Sequence, residues 1–134
     1  MIAPNNVPPV DDEELLARFM VNSHEFRADD SMAPTLFMPY KRVVLSVNRH
    51  RDATIAETWE VGRRVASERG KTLYGRSDIR AIACKVDSLQ VVAKPIPPDN
   101  PNHADIEGYP PRKEDQKSLA QQLAAGASNR IAPP

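Results

Sequence analysis

Three histidines and a scatter of arginines are the side chains of this 134-residue chain whose types suit acid–base or phosphate chemistry. His50 follows Arg49 at the end of the run KRVVLSVNRH, and His103 sits within PNHAD. Imidazoles titrate near neutral pH, so a pair of them can divide general-base and general-acid duties. Arg27, Arg49, Tyr74 and Arg76 would complete such a site by holding phosphate: guanidinium groups grip oxyanions through two parallel hydrogen bonds, and tyrosine donates or stacks. The competing reading has His103 pinning a proline-bounded loop and His50 solvated. No catalytic residue is assigned from sequence; His50 and His103 are the candidates, and the three arginines with Tyr74 are the candidate binding residues.

Other chemistries find weaker footholds. His103 and Asp105 would share one face of an extended segment, and with His50 or His24 they would make a two-histidine, one-carboxylate metal set. No spacing here is diagnostic, so no metal or other cofactor is expected. Cys84 lies among alternating apolar residues and reads as a buried structural thiol. Ser31, Ser46 and Ser77 lack a nucleophile-elbow context, and five glycines in all provide no phosphate-cradling loop.

Charge is segregated although the formal net is zero. Residues 1–40 hold two basic side chains against seven acidic ones, residues 41–85 hold eleven against five, and the remainder five against six. A basic middle raises nucleic-acid binding as a possibility. Aromatic content of only 5% supplies no interleaved stacking platform, so that reading is not favoured. Hydrophobic content of 40% supports one modest core. No apolar run approaches the roughly 18 residues of a membrane span. A lone cysteine and no visible signal peptide lead us to expect a cytoplasmic setting.

The elements that must position these groups follow from periodicity. Residues 1–10 read as a proline-rich arm, 11–128 as one domain and 129–134 as a tail. Asp11–Glu14 offers capping chemistry for a helix carrying Leu15, Leu16, Phe19 and Met20. A short strand is expected around Leu36–Met38, and a core strand over Val43–Val47. Thr54 and Glu57 form a capping-box pattern before a helix with Ile55, Trp59, Gly62, Val65 and Ala66 on one face, closed by Gly70. Strands are expected over Ile79–Val86 and Leu89–Ala93, joined at Asp87-Ser88, and an extended piece over Asn102–Ile106. A final helix starts near Pro111. The sum is a small single-domain α+β layer fold, with a short, mainly antiparallel sheet packed by about three helices.

The segments EELLARF, FR at 26–27, LSV with Arg49-His50, LYGR at 73–76 and NPNHA at 100–104 together resemble a family of small bacterial proteins with no established activity. Gly108, Lys113, Gln116-Lys117 and the alanine-rich last helix extend the likeness over roughly residues 11–128. Tyr109 stands where the pattern has tryptophan, and His24 falls outside it. The resemblance implies a bacterial, cytoplasmic, single-domain protein of the kind found as accessory components of mobile-element or defence operons. The leading expectation is a non-enzymatic interaction module with a protein partner or a second copy of itself. The rivals are a nucleotide- or RNA-directed enzyme built on His50 and His103, and a nucleic-acid-binding protein without catalysis.

Overall fold

A computed structural model describes residues 7–39 and 43–134. Met1–Asn6 of the expected arm and Lys41-Arg42 of the basic run lie outside them. The described residues form five strands and two α-helices: β1 Leu15–Met20, β2 Leu45–Arg49, α1 Ile55–Glu68, β3 Gly75–Arg80, β4 Gln90–Ala93, β5 His103–Glu107 and α2 Lys113–Gly126. All four strand pairings are antiparallel, in the order β3-β1-β2-β5-β4. The α+β class is as expected, with two helices and several single 3-10 turns in place of about three helices.

The largest departure is β1, for which the sequence suggested a helix. The capping chemistry is real but closes only one turn. Asp11 N–H donates to Glu14 Oε2 at 2.7 Å, and Glu14 N–H donates to the Asp11 carbonyl at 3.0 Å. The next residues are then drawn out by strands on both sides, Leu16 lying between Arg49 and Ile79. Leu15/Phe19 and Leu16/Met20 are spaced by four, which satisfies a helical face and a two-residue alternation equally. Tertiary pairing decides.

Two other segments also differ. Pro34–Phe37 is a 3-10 turn, with Pro34 in its first turn, and not a strand. The strand expected over Ile79–Val86 starts earlier, at Gly75, and gives way to a 3-10 turn at Ala81–Cys84. Consequently β4 pairs with β5 and forms no hairpin with β3. By contrast, α1 has the expected capping box, with Thr54 Oγ1 accepting from Glu57 N–H at 3.1 Å, and Gly70 leaves it at φ +61°.

The sheet is the middle layer. On one face Leu16, Met20, Leu45, Val47, Ile79 and Ile106 meet Leu119, Ala120 and Leu123 of α2 in the main core. Cys84 belongs to this core, and burial pushes its thiol up to about 12, away from nucleophilic chemistry. On the other face, α1 covers only β1 and β3. Gly62 sits against the Phe19 ring so closely that a Cβ there would lie 2.7 Å from it, and Trp59 packs on Arg76. The β2–β5 half of that face carries polar residues: Ser46, Asn48, His103 and Asp105. The chain end also docks on the sheet. Ser128 N–H donates to the Asp78 carbonyl at 2.8 Å, and Arg76 and Ile131 exchange two backbone hydrogen bonds along the free edge of β3.

Candidate functional site

The two candidate histidines belong to different clusters. His50 lies just beyond β2, where Nε2 meets Asp78 Oδ1 of β3 at 2.8 Å. Arg76, two residues before Asp78, reaches the same carboxylate at 3.2–3.4 Å and lies over the Trp59 ring at 4.8 Å. Burial raises the Asp78 carboxyl, but the His50 and Arg76 hydrogen bonds outweigh it and leave it below its ordinary value. The result is an ion cluster clamped under α1. Arg76 Nη1 is buried without a partner among the described residues.

His103 is engaged elsewhere. Its Nδ1 lies 2.9 Å from the Lys94 carbonyl, which can only accept, so Nδ1 carries the proton. Nε2 stands 3.7 Å from Asp105, beyond hydrogen-bond length. His103 pairs across the sheet with Asn48, while the His50 ring reaches over to β3. The two rings share no hydrogen-bond partner, and they are drawn to opposite sides of β2, His50 toward β3 and His103 toward β4. The structure therefore engages His50 and His103 with different partners.

Nor do the arginines converge. Arg49 is fully buried, and its guanidinium is saturated from within. Nε and Nη2 grip both oxygens of Glu14 at 2.7 Å, Nη1 donates to the Pro8 carbonyl at 2.8 Å, and Nη2 donates again to the Pro9 carbonyl at 3.3 Å. Arg27 is exposed and donates to Ser31 and the Met32 carbonyl within its own loop. The Tyr74 ring stacks on Phe26 at 5.9 Å, tilted by 48°. Of the six candidates, only His50 and Arg76 share a partner, Asp78. Exposed His24 stands apart from both clusters, and no group of three or more metal-ligating side chains occurs among the described residues.

These roles separate in a stability measurement. We expect His50→Gln to cost about 1.5 kcal/mol, the low end for a hydrogen bond to a charged group. Asp78→Asn should cost more, about 3 kcal/mol, because it leaves the Arg76 charge buried without a counterion. Urea unfolding at neutral pH checks the order; equal effects would mean that Arg76 finds another partner.

A concavity lies on the polar half-face beside α1. A cavity of about 310 Å³ is bounded by the Val61–Arg69 edge of α1, by β1 and β2, and by the loop at 96–100. Hollows of about 570 and 460 Å³ adjoin it. The first shares Asn48, Arg64 and Asn100 with it, the second Arg18, Ser46 and Arg69, so one cleft runs beside the helix. His103 lines it and His50 does not.

Arg18 shapes this cleft. Strands β1 and β2 pair only at Leu16–Arg49 and Ala17–Asn48, then diverge. The Arg18 guanidinium spans the gap, Nη1 donating to the Ser46 carbonyl at 3.1 Å and Nε to the Leu36 carbonyl at 2.9 Å. On the cleft floor Asn100 Nδ2 donates to Asn48 Oδ1 at 2.9 Å, and Asn100 Oδ1 is buried without a partner among the described residues. Sequence reasoning missed Arg18, Asn48, Asn100 and Asp78. The one available signal was a charge inside the apolar run LLARFM, which a helix reading assigns to a solvated face. Comparison with protein-family models, with curated proteins and with solved structures returns no match.

Proposed function

We propose that this protein works by binding and not by catalysis, as an accessory module that takes up a protein partner in the cleft beside α1. The observation that carries this reading is the engagement of the candidate catalytic groups. Arg49 is saturated by Glu14, Pro8 and Pro9; Arg76 and His50 are tied to Asp78; and His103 is turned to the Lys94 carbonyl on another strand. A general base needs its substrate proton within hydrogen-bond reach, and His50 and His103 serve separate clusters. The cleft, in contrast, offers a concave surface with amides and cations around apolar walls, the composition of a recognition site.

Light scattering on the purified chain, alone and mixed with the products of neighbouring genes, tests the reading. A mass above the 14.9 kDa monomer is expected with one such product, or with a second copy of the chain. Val65→Trp, which fills the cleft wall, should abolish that complex while the fold is retained. A strict monomer with every product tested would count against a partner-binding function.

A further inference from the structure

The cationic end of the cleft holds an arrangement that the fold itself leaves incomplete. Arg18 is held by two carbonyls, its Nη2 has no protein partner among the described residues, and the residue lines both the central cavity and the adjoining hollow. Arg69 lines the same two spaces, and Lys71 stands at the outer one. No carboxylate lies within ion-pair distance of Arg18 among the described residues, and residues 1–6 and 40–42 contain no acidic side chain. Burial disfavours the Arg18 charge; buried Glu25 attracts it from a distance, while Arg69 is near enough to repel it. Glu25 is itself engaged by the Val21 and Asn22 backbone amides. Of the central cavity's acidic residues, Asp99 pairs with Arg64 at 3.6 Å and Glu68 is exposed on the helix rim, while Asp52, Glu57 and Glu60 line the hollow at the other end.

Two arginines that line one cavity, Arg18 buried and Arg69 exposed at its edge, repel each other until an anion lies between them. Beside that point the walls are apolar, with Phe19, Val61, Val65 and Ile96, and the floor carries the Asn48–Asn100 amide pair with an unpartnered carbonyl oxygen. We propose that this cavity binds a small organic oxyanion. Its carboxylate or phosphate group sits between Arg18 and Arg69, and its compact body lies against Val61 and Val65. The volume of about 310 Å³ lies at the lower end of ligand pockets, which suits a metabolite-sized group. This assignment rests on the non-catalytic binding role proposed for the cleft and places a small molecule, distinct from the protein partner, in its central cavity.

Titration of isotope-labelled full-length protein with benzoate, phenyl phosphate, inorganic phosphate and neutral benzyl alcohol, followed by nitrogen–proton correlation spectra, tests it. Saturable shifts are expected at 46–48, 65–69 and 96–100 with benzoate or phenyl phosphate, and the stronger of the two identifies the head group. Benzyl alcohol should bind at least about tenfold more weakly, the loss of one charge-assisted contact. Exposed Arg69→Glu should weaken the anion by a similar factor, and Val65→Phe should block it, both with the wild-type pattern of dispersed resonances. Absent or non-saturable binding, equal affinity for benzyl alcohol, or shifts confined to other surfaces would overturn the site. Binding of inorganic phosphate alone, with neither aromatic anion bound, would also overturn it, since the body contacts would then contribute nothing. Cleavage of phenyl phosphate bound here, seen by phosphorus resonance, would instead reject the non-catalytic reading and leave the anion site standing.

Discussion

Arg49→Met should lower the unfolding free energy by about 3 kcal/mol, toward the lower end of the range for breaking a buried ion pair. Methionine restores much of the volume, so the effect isolates the polar network more than a cavity. The substitution leaves Glu14, with its side chain 17% exposed, without its counterion, and it strands the Pro8 and Pro9 carbonyls. Partial access of Glu14 to water keeps the effect from reaching the upper end. Arg49→Lys should recover little, because an ammonium cannot reach both Glu14 oxygens and two carbonyls in one plane. Urea unfolding monitored by circular dichroism checks both. A loss below about 0.5 kcal/mol, the size of an ordinary surface change, would mean that Arg49 is not structural and would return it to the list of candidate binding residues.

The same pair has a pH signature. Burial raises the Glu14 carboxyl, and the Arg49 and Asp11 hydrogen bonds more than reverse this, so its folded value lies below its ordinary one. Such a group stabilises fully above its unfolded value and loses that contribution as pH falls through the folded one. Asp78 acts in the same direction. Wild-type stability should therefore fall below pH of about 4, and Arg49→Met should fall less steeply there because its Glu14 contribution is already gone.

Gly108→Ala is the second large effect. Gly108 has φ +99°, and a Cβ there would lie 2.2 Å from the Ser88 carbonyl oxygen, a backbone atom that cannot rotate away. Ser88 Oγ also donates to the Gly108 carbonyl at 2.6 Å, so the two backbones are held together from both sides. Overpacking and left-handed strain together should cost about 3 kcal/mol or more. Tyr109 follows, its hydroxyl donating to the Phe37 carbonyl at 2.8 Å, so displacement of residue 108 would loosen the lid of the main core. Thermal unfolding of the variant tests this; a melting temperature within a degree or two of wild type would contradict the close approach.

The parts of the fold legible in sequence are those whose information is local. The capping box at Thr54 and Glu57, the three- and four-residue spacing through Ala66 and the Gly70 exit define α1 within one stretch. The β-branched run at Val43–Val47 overlaps β2 only from Leu45, since Val43 turns at φ +59° and the strand runs on to Arg49, and the extended piece ending at Ile106 falls on β5. What failed was nonlocal. Glu14 has the chemistry of a helix start, but its partner is Arg49, 35 residues away. LLARFM fits two periods, and only its neighbours choose between them. The cleft is assembled from residues near 18, 46–48, 61–69 and 96–103, a convergence that strand order creates and no spacing announces. The histidine–arginine cluster read from sequence dissolved for the same reason: Asp78, supplied by an edge strand, captures His50, and Glu14 captures Arg49.

Amide hydrogen exchange on the free chain and on its complex with a neighbouring-gene partner tests the central claim most directly. Protection gained on binding should concentrate at 61–69 and 96–103, with the amides around His50 and Asp78 unchanged. Protection confined to His50 and Asp78, with the cleft still open, would contradict it.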